Sequence, residues 1–300
     1  MEPDAARAAP SPGGKAGEGD YILEVDGREV HAPDNFYRLF IGRQNRQTLL
    51  RLNSRPTLDG SWTVSVVPVG LDAEFGLRTA RWVEDNRRLV DSLSAGRLAY
   101  VWLPNTGNEG YSYFNRYCFA RQDRPGVIVD ERYNGGGKVA DYFIDIMKRP
   151  LYGFFNNPVG DRKPWTSPEA GIWGPKVMIA NESAGSGGDM LPYMFKQQKV
   201  GTLVGTRTWG GLVGIWDVPD LVDGGGITAP RGGFFNRDGE WEVENAGVAP
   251  DIEVEQLPKE TMAGHDPQLE RAVAEALEQL ATWQSPLRPE PAPPVRARRP

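Results

Sequence analysis

Two hydrophobic patterns divide the chain near residue 70. Beyond it, short runs of consecutive apolar residues alternate with segments in which every third or fourth residue is apolar. The runs are typical of strands buried on both faces of a parallel sheet, and the spaced pattern is typical of amphipathic helices. This alternation predicts an α/β sheet with crossover helices. The predicted strands are 98–103, 126–130, 176–180 and 202–205, and the predicted helices are 81–94, 111–121, the segment after Gly137, 188–198 and 266–280.

The first part of the chain has shorter apolar segments separated by turn residues. Its predicted strands are 21–25, 48–52 and 62–68. The first strand ends at Asp26-Gly27, a dipeptide that favours a hairpin turn. Asp34 is placed to cap a short helix, because aspartate is a favoured residue at helix N-termini. Together these elements predict a small α+β module.

The same patterns predict four segments along the chain. The ends are rich in Pro, Gly, Ala or Arg and have no apolar periodicity, so we expect them to be disordered. The predicted segments are a disordered start at 1–19, the α+β module at 20–70, the α/β domain at 71–283 and a disordered Pro/Arg-rich tail at 284–300.

Composition narrows the possible partners. The chain has 300 residues and a net charge of −6, which argues against nucleic acids and anionic membranes as partners. A single cysteine, Cys118, excludes an internal disulfide framework and a cysteine-based metal site. No apolar stretch is long enough to span a bilayer, and the start has no signal-peptide pattern. We therefore expect a cytoplasmic protein without metal or cofactor.

Two glycine-rich junctions follow predicted strands. One is Asn134-Gly135-Gly136-Gly137, and the other is the stretch "NESAGSGGD" at 181–189, which contains Ser186. In open α/β sheets, sites form where strands end and helices begin, and the free N–H groups of a helix N-terminus suit a developing anion. Ser186 has two interpretations at this stage: a residue that caps the following helix, or a nucleophile.

Four stretches in the order of the chain carry a family resemblance. They are "VIVDERYNGGG" (127–137), "ANESAGSGGDMLPYMF" (180–195), "GTRTWGGLVGI" (205–215) and "VENAGVAPDIEVE" (243–255). They resemble the tricorn-type branch of the S41 serine peptidases, and the module at 20–70, with "EGDYILEVDGREV" (18–30), resembles the PDZ domain of that family. The resemblance implies a ClpP/crotonase-like α/β catalytic domain preceded by a PDZ-like α+β module that is incomplete at its start. It also implies peptide substrates, serine peptidase chemistry and a homo-oligomer, a hexamer in the family.

The resemblance also assigns roles to individual residues. Ser186 matches the nucleophile. Gly136 or its neighbour Gly137 matches the loop that supplies one oxyanion amide, and Gly187 matches the second amide. Glu244 matches a glutamate that orients the base through a serine hydroxyl, although a surface carboxylate beside a turn is an equally good interpretation from the sequence alone.

The general base is the missing part. The lysine of the related processing peptidases would fall at position 211, which is glycine, and the tricorn branch uses a Ser-His pair upstream of its PDZ domain. His31 and His265 are the histidines of the chain, and neither follows a serine. Three explanations stay open: a truncated or split enzyme with its histidine on an upstream segment, an inactive peptide-binding module, or an unexpected base. We favour the first, and we expect the chain alone to be weakly active or inactive.

The residues that would select a substrate side chain are not identified by the resemblance. The candidate pocket region, 149–173, is rich in Pro, Gly and aromatic residues. Asp161 in this region could meet a basic side chain, but an ordinary loop carboxylate is an alternative.

Overall fold

The computed structural model describes residues 16–160, 163–215 and 218–296. The chain forms two compact units, Met1–Trp82 and Val83–Pro300. The boundary between them falls inside the long helix α1, Leu71–Leu93, whereas the sequence predicts a boundary between residues 70 and 71. Residues 284–296 form no helix or strand. The predicted disordered ends lie partly outside the described residues.

The first unit contains an antiparallel sheet with the strand order β2-β1-β3-β4. Its strands are β1 (Tyr21–Val25), β2 (Arg28–Glu29), β3 (Thr48–Asn53) and β4 (Trp62–Val66), and a short 3₁₀ helix covers Phe36–Phe40. The hairpin predicted at Asp26-Gly27 is confirmed, and both residues have the positive φ that a type I′ turn requires.

The predicted cap at Asp34 is wrong. The 3₁₀ helix begins after Asn35, and no side chain caps it. The Asp34 carboxylate instead accepts the N–H of His31 at 3.3 Å, three residues earlier. An aspartate side chain accepts backbone N–H groups in turns as readily as at helix N-termini, and at this position it does so in a turn.

The second unit is built on a parallel sheet with the order β11-β10-β9-β6-β5. Its strands are β5 (Leu98–Trp102), β6 (Gly126–Asp130), β9 (Lys176–Ala180), β10 (Thr202–Gly205) and β11 (Ile252–Glu253). The helices that follow α1 are α2 (Asn108–Phe119), α3 (Ala140–Met147), α4 (Gly187–Gln197), α5 (Pro258–Met262) and α6 (Pro267–Thr282). The predicted parallel sheet with crossover helices is therefore confirmed.

The sequence patterns missed four elements of the second unit. A hairpin of β7 (Gly153–Phe155) and β8 (Trp165–Ser167) lies between α3 and β9. The two-residue strand β11 and the one-turn helix α5 are too short to show a periodicity. Helix α1 also begins ten residues earlier than the predicted 81, and the apolar side chains of its first turns, Leu71, Phe75 and Leu77, are exposed.

The register of the sheet brings the two glycine-rich junctions together. Strands β6 and β9 are hydrogen-bonded neighbours, and Asp130 at the end of β6 is paired with Ile179 near the end of β9. Because parallel strands end at the same edge of a sheet, the loops that follow these two strands lie side by side. The fold thereby creates one site from two distant stretches of sequence.

A buried ionic network anchors the first of these loops. Arg132 donates to both carboxylate oxygens of Asp130, at 2.9 and 2.6 Å, and to Asp266 at 2.9 Å. Asp266 also caps α6 by accepting the N–H of Leu269. The Tyr100 hydroxyl donates to Asp130 as well, and burial beside that carboxylate raises the pKa of Tyr100 well above its usual value. Each charge in the network is satisfied, as a buried ion pair requires.

Candidate active site

Ser186 lies at a sharp turn between β9 and α4. Its backbone has φ 55° and ψ −116°, a conformation that residues with a side chain rarely adopt. The turn is held by main-chain hydrogen bonds, because the Ser186 N–H donates to the carbonyl of Gly211 at 3.0 Å and its carbonyl accepts from Asp189 and Met190. A strained strand-to-helix turn that presents a serine is the geometry of a nucleophile elbow.

The hydroxyl of Ser186 does not cap the helix. The residue occupies the N-cap position of α4, but its side chain makes no capping hydrogen bond. Among the described residues, none forms a hydrogen bond with this hydroxyl. The capping interpretation therefore loses its physical basis, since a serine cap stabilises a helix only through that bond.

The two glycine loops touch at positions where only glycine fits. A Cβ on Gly136 would lie 2.7 Å from the Cβ of Ser186 and 3.0 Å from its Oγ. A Cβ on Gly187 would overlap the hydroxyl of Thr106 and would lie 2.7 Å from the nitrogen of Gly137. The backbone of the first loop therefore packs directly against the serine and the first residue of α4.

The three candidate oxyanion amides differ in availability. The N–H of Gly136 donates to Oδ1 of Asn134 at 2.9 Å. The N–H groups of Gly137 and Gly187 have no acceptor among the described residues. Of the two alternatives for the first loop, Gly137 is thus the one with a free amide, and it lies close to Gly187.

Asn134 connects the two loops, a role that sequence reasoning missed. Its side-chain oxygen holds Gly136, and its carbonyl accepts the N–H of Gly185 at 3.1 Å. Its side-chain amide donates to Glu131 at 3.3 Å, and the residue is fully buried. The only available signal was its place before three glycines, which does not distinguish a buried link from a turn residue.

Asp189 is a second residue that connects parts of the site, and the sequence analysis assigned it no role. Its buried carboxylate accepts the hydroxyl of Thr208 at 2.6 Å and the N–H groups of Gly210 and Gly211 at 2.7 and 3.1 Å. The carbonyl of Gly211 in turn accepts the N–H of Ser186. Asp189 therefore fixes the loop segment 208–211, which supports the elbow.

Glu244 holds the next residues of the same loop. One of its carboxylate oxygens, Oε2, accepts the N–H groups of Leu212 and Val213, each at 2.6 Å. The other oxygen, Oε1, has no partner among the described residues. Glu244 is thus linked to Ser186 through the backbone of residues 211–213, and one of its oxygens stays available for another donor.

Glu131 is a buried acid behind the first loop. Burial, and then the nearby carboxylates of Asp189 and Asp130, raises its pKa well above the usual value. Its Oε1 has no hydrogen-bond partner in the described chain, and neither has the buried hydroxyl of Thr106. A neutral Glu131 avoids placing a second charge near Asp189.

The histidine of the second unit, His265, does not contact the elbow. His31 is exposed and lies 3.4 Å from Glu29 in the first unit, and His265 is exposed and lies 3.2 Å from Glu270. Among the described residues no other histidine exists to act as a base. The second unit thus brings Ser186, Gly136, Gly137 and Gly187 together, links Glu244 to them, and among its own described residues places no imidazole beside them.

The described residues contain no group of three or more His, Cys, Asp or Glu side chains arranged to hold a metal ion. No helix among them is long and apolar enough to cross a membrane. Asp161, the candidate specificity residue, lies outside the described residues.

Comparison with known proteins agrees with this geometry. Residues 97–254 match the family model of peptidase family S41. The chain is 35% identical to the tricorn protease of Thermoplasma acidophilum over 268 residues, covering 89% of this chain and 24% of that protein. It is 37% identical to tricorn protease homolog 1 of Streptomyces coelicolor over 279 residues, covering 93% of this chain and 26% of that protein.

A solved structure shows the same fold. The crystal structure of the tricorn protease superposes with a TM-score of 0.79 at 35% identity, covering 88% of this chain and 25% of that chain. The chain therefore spans about a quarter of the length of the curated relatives it matches. The matched region contains both glycine loops, the elbow at Ser186 and the segment with Glu244, and the chain belongs to peptidase family S41.

Proposed function

We propose that this chain carries the nucleophile and oxyanion site of a tricorn-like serine peptidase, and that a histidine from outside these 300 residues completes it. The observation that carries the proposal is the state of Ser186. Its hydroxyl is unused by the fold, its backbone is strained, and the N–H groups of Gly137 and Gly187 beside it have no acceptor in the described chain. A structural turn would need none of these features.

The proposed reaction is acyl transfer from a peptide. Ser186 Oγ attacks the scissile carbonyl carbon while the external base accepts the hydroxyl proton, because a serine hydroxyl is inert without a base. The oxyanion of the tetrahedral intermediate accepts hydrogen bonds from Gly137 and Gly187. The C–N bond then breaks as the base returns its proton to the amine, and water hydrolyses the resulting ester to release the acid and Ser186.

Glu244 is proposed to act on the base side. Its Oε2 is occupied by the backbone of Leu212 and Val213, so its Oε1 is the oxygen available to a serine hydroxyl that orients the histidine. A group with this task must itself be rigid, and two short hydrogen bonds to one oxygen provide that rigidity. We therefore regard Glu244 as a positioning residue.

Trp209 gives the site an apolar surface. Its side chain is 69% exposed, and its ring lies against Gly185 and Gly211 on either side of the elbow. We propose that this ring contacts the peptide, because exposed aromatic surface beside a reactive group favours a bound partner.

The remaining parts of the proposal come from the relatives and the resemblance. We propose that the first unit is a PDZ-like module, that the substrates are oligopeptides and that the complete enzyme is a homo-oligomer. The cytoplasmic location stays a prediction from the sequence. The alternative is a catalytically inactive module that binds peptides.

A fluorophosphonate probe tests the central claim. We expect no strong labelling of the chain alone, and labelling of Ser186 when a separate polypeptide carrying the upstream Ser-His region of a tricorn-type enzyme is added. Ser186→Ala should abolish the label, and Ser183→Ala, a serine three residues earlier on the same loop, should not. Mass spectrometry of the labelled peptide locates the modified serine.

Two results would contradict parts of the proposal. Robust labelling of Ser186 without the added polypeptide would overturn the external base. Peptide binding that is equal in the wild type and in Ser186→Ala, without labelling or hydrolysis under any condition, would overturn the peptidase and favour the binding module.

A further inference from the structure

A basic cavity lies at the opposite edge of the sheet from Ser186. Its volume is about 230 Å³, and it lies where α3 and α4 end and β9 begins. Four cationic side chains from three segments line it, together with Ile172 and Trp173. These cations are Lys148, Arg149, Lys176 and Lys199.

None of the four cations is neutralised by the protein. Among the described residues, no Asp or Glu lies within ion-pair distance of any of them. Lys148 donates to the side chain of Gln198, and Lys176 donates to the carbonyl of Gly174 at 3.0 Å. Four unpaired cations around one cavity are unexpected in a chain whose net charge is −6, because such a chain has an excess of carboxylates to pair with them.

Helix ends explain only part of this cluster. Lys148, Arg149 and Lys199 follow the last turns of α3 and α4, where cations interact favourably with the helix dipoles. Lys176 is different, because it is the first residue of β9 and the residue is only 8% exposed. Its burial sets it apart from the cations that commonly follow a helix at the protein surface.

The buried ammonium of Lys176 lacks compensation. Burial lowers its pKa to about 8, so the protein itself disfavours the charged form. An ammonium has three N–H donors, and among the described residues only the carbonyl of Gly174 accepts from this one. A buried cation that retains donors and lines a cavity with three other cations is suited to an anion.

We propose that this cavity binds a small anion with phosphate or carboxylate groups. A water molecule takes about 30 Å³ in the liquid, so a cavity of about 230 Å³ has room for a molecule several times larger than water. A small anion of this kind therefore fits. The site is separate from the peptidase centre, and its occupant would not contact Ser186. Lys176 is its central residue, and Lys148, Arg149 and Lys199 form its rim.

Binding of the anion is coupled to protonation of Lys176. Near pH 8 part of the Lys176 population is neutral, and an anion favours the charged form, so binding takes up protons. The other titratable groups that face Lys176 are the Cys118 thiol of α2 and the rim cations. Burial raises the pKa of Cys118 to about 11, so this thiol stays neutral near pH 8. Affinity should therefore fall as the pH rises from 7 towards 10.

Titration calorimetry of the full chain at constant ionic strength tests the proposal. One series uses sodium phosphate and a parallel series uses sodium succinate. We expect one saturable site for at least one of the two anions, and the two series show whether phosphate or carboxylate is preferred. Lys176→Gln should weaken that binding about tenfold or more. The control Lys259→Gln removes an exposed lysine on α5 and should leave the affinity unchanged.

Two further measurements keep the test valid if the Lys176 variant does not fold: the proton uptake on binding by the wild type, and the affinity of a second variant. At pH 8, the binding heat should differ between buffers of different ionisation enthalpy by an amount that corresponds to uptake of a fraction of one proton. Lys199→Gln changes an exposed rim residue and should weaken binding about threefold to tenfold. No saturable binding of either anion, or equal affinity in the Lys176, Lys199 and Lys259 variants, would overturn the proposal.

Discussion

Asp189 and Gly211 are joined by a hydrogen bond of 3.1 Å, and the carbonyl of the same glycine accepts the N–H of Ser186 at 3.0 Å. The carboxylate thus controls the strained elbow through one intervening residue. Three donors converge on this buried acid, so its charge is compensated within the segment 208–211.

Asp189→Asn should lower the free energy of unfolding of the second unit by about 2–4 kcal/mol. The asparagine amide would place one N–H donor against another, either at Gly211 or at Thr208 and Gly210. Urea unfolding followed by circular dichroism measures the change. The control Asp220→Asn alters an exposed aspartate and should change the stability by less than about 0.5 kcal/mol. Equal effects of the two substitutions would show that Asp189 does not hold the segment.

Gly136→Ala should both destabilise the protein and block the hydroxyl of Ser186. The residue has φ 87°, and a Cβ would lie 3.0 Å from Ser186 Oγ. We expect a loss of about 1–3 kcal/mol and no fluorophosphonate labelling in the presence of the added histidine-bearing polypeptide. Gly226→Ala, at an open position where a Cβ meets no atom within 4 Å, serves as the control. Normal labelling of the Gly136 variant would contradict the described packing of the two loops.

Glu131→Gln should remove a pH dependence from the stability of the protein. Because the folded state raises the pKa of Glu131, this group favours folding only at pH values below its unfolded pKa of about 4.3. As the pH rises from there towards the folded pKa, the wild type loses up to about 1.4 kcal/mol per pH unit from this group. Unfolding free energies measured between pH 4 and 8 should show this loss in the wild type and in Glu255→Gln, an exposed control, but not in Glu131→Gln. Parallel pH profiles for all three proteins would mean that Glu131 is ionised in the folded protein.

Gly76→Ala should stabilise helix α1 by about 0.5–1 kcal/mol. Gly76 lies inside the helix, is exposed, and would present a Cβ to open space. Alanine reduces the conformational entropy of the unfolded chain and introduces no clash at such a position. Thermal unfolding measures the gain, and Gly110→Ala provides the opposite case, because a Cβ there would overlap the carbonyl of Asn105. A loss of stability in Gly76→Ala would show that this part of α1 is not a regular helix.

Four of the five strands of the parallel sheet were predictable because each is a run of mostly apolar residues, and only the two-residue β11 was missed. Strands β6 and β9 match the predicted ranges 126–130 and 176–180 residue for residue. Burial on both faces leaves a continuous apolar run in the sequence, and no other kind of element in this chain has that pattern. The edge of the sheet where the two glycine loops meet follows directly from these strands.

The connections within the site were not predictable in the same way. Asp130, Glu131 and Arg132 are three consecutive charged residues, which in a sequence indicate a solvated turn, yet all three are buried. Asp130 and Arg132 pair with each other, but their further partners, Tyr100 and Asp266, lie far away along the chain. The carboxylate of Asp189, which helps to raise the pKa of Glu131, is also distant in sequence, and no local pattern records contacts of that kind. The prediction that Asp34 caps a helix was wrong for a related reason. An aspartate side chain can accept a hydrogen bond in a turn or at a helix N-terminus, and the sequence does not distinguish the two.

The two interlocked glycine loops have a consequence for how the proposed catalytic centre would be assembled. The serine, the free amides beside it and the links through Asn134 and Asp189 all belong to one compact unit. Under the proposed function, a base delivered from elsewhere would therefore meet a serine whose main chain already has the conformation of the elbow. The incoming segment has only to place an imidazole within reach of a single hydroxyl. Its binding energy is therefore not consumed in ordering the site to which it binds.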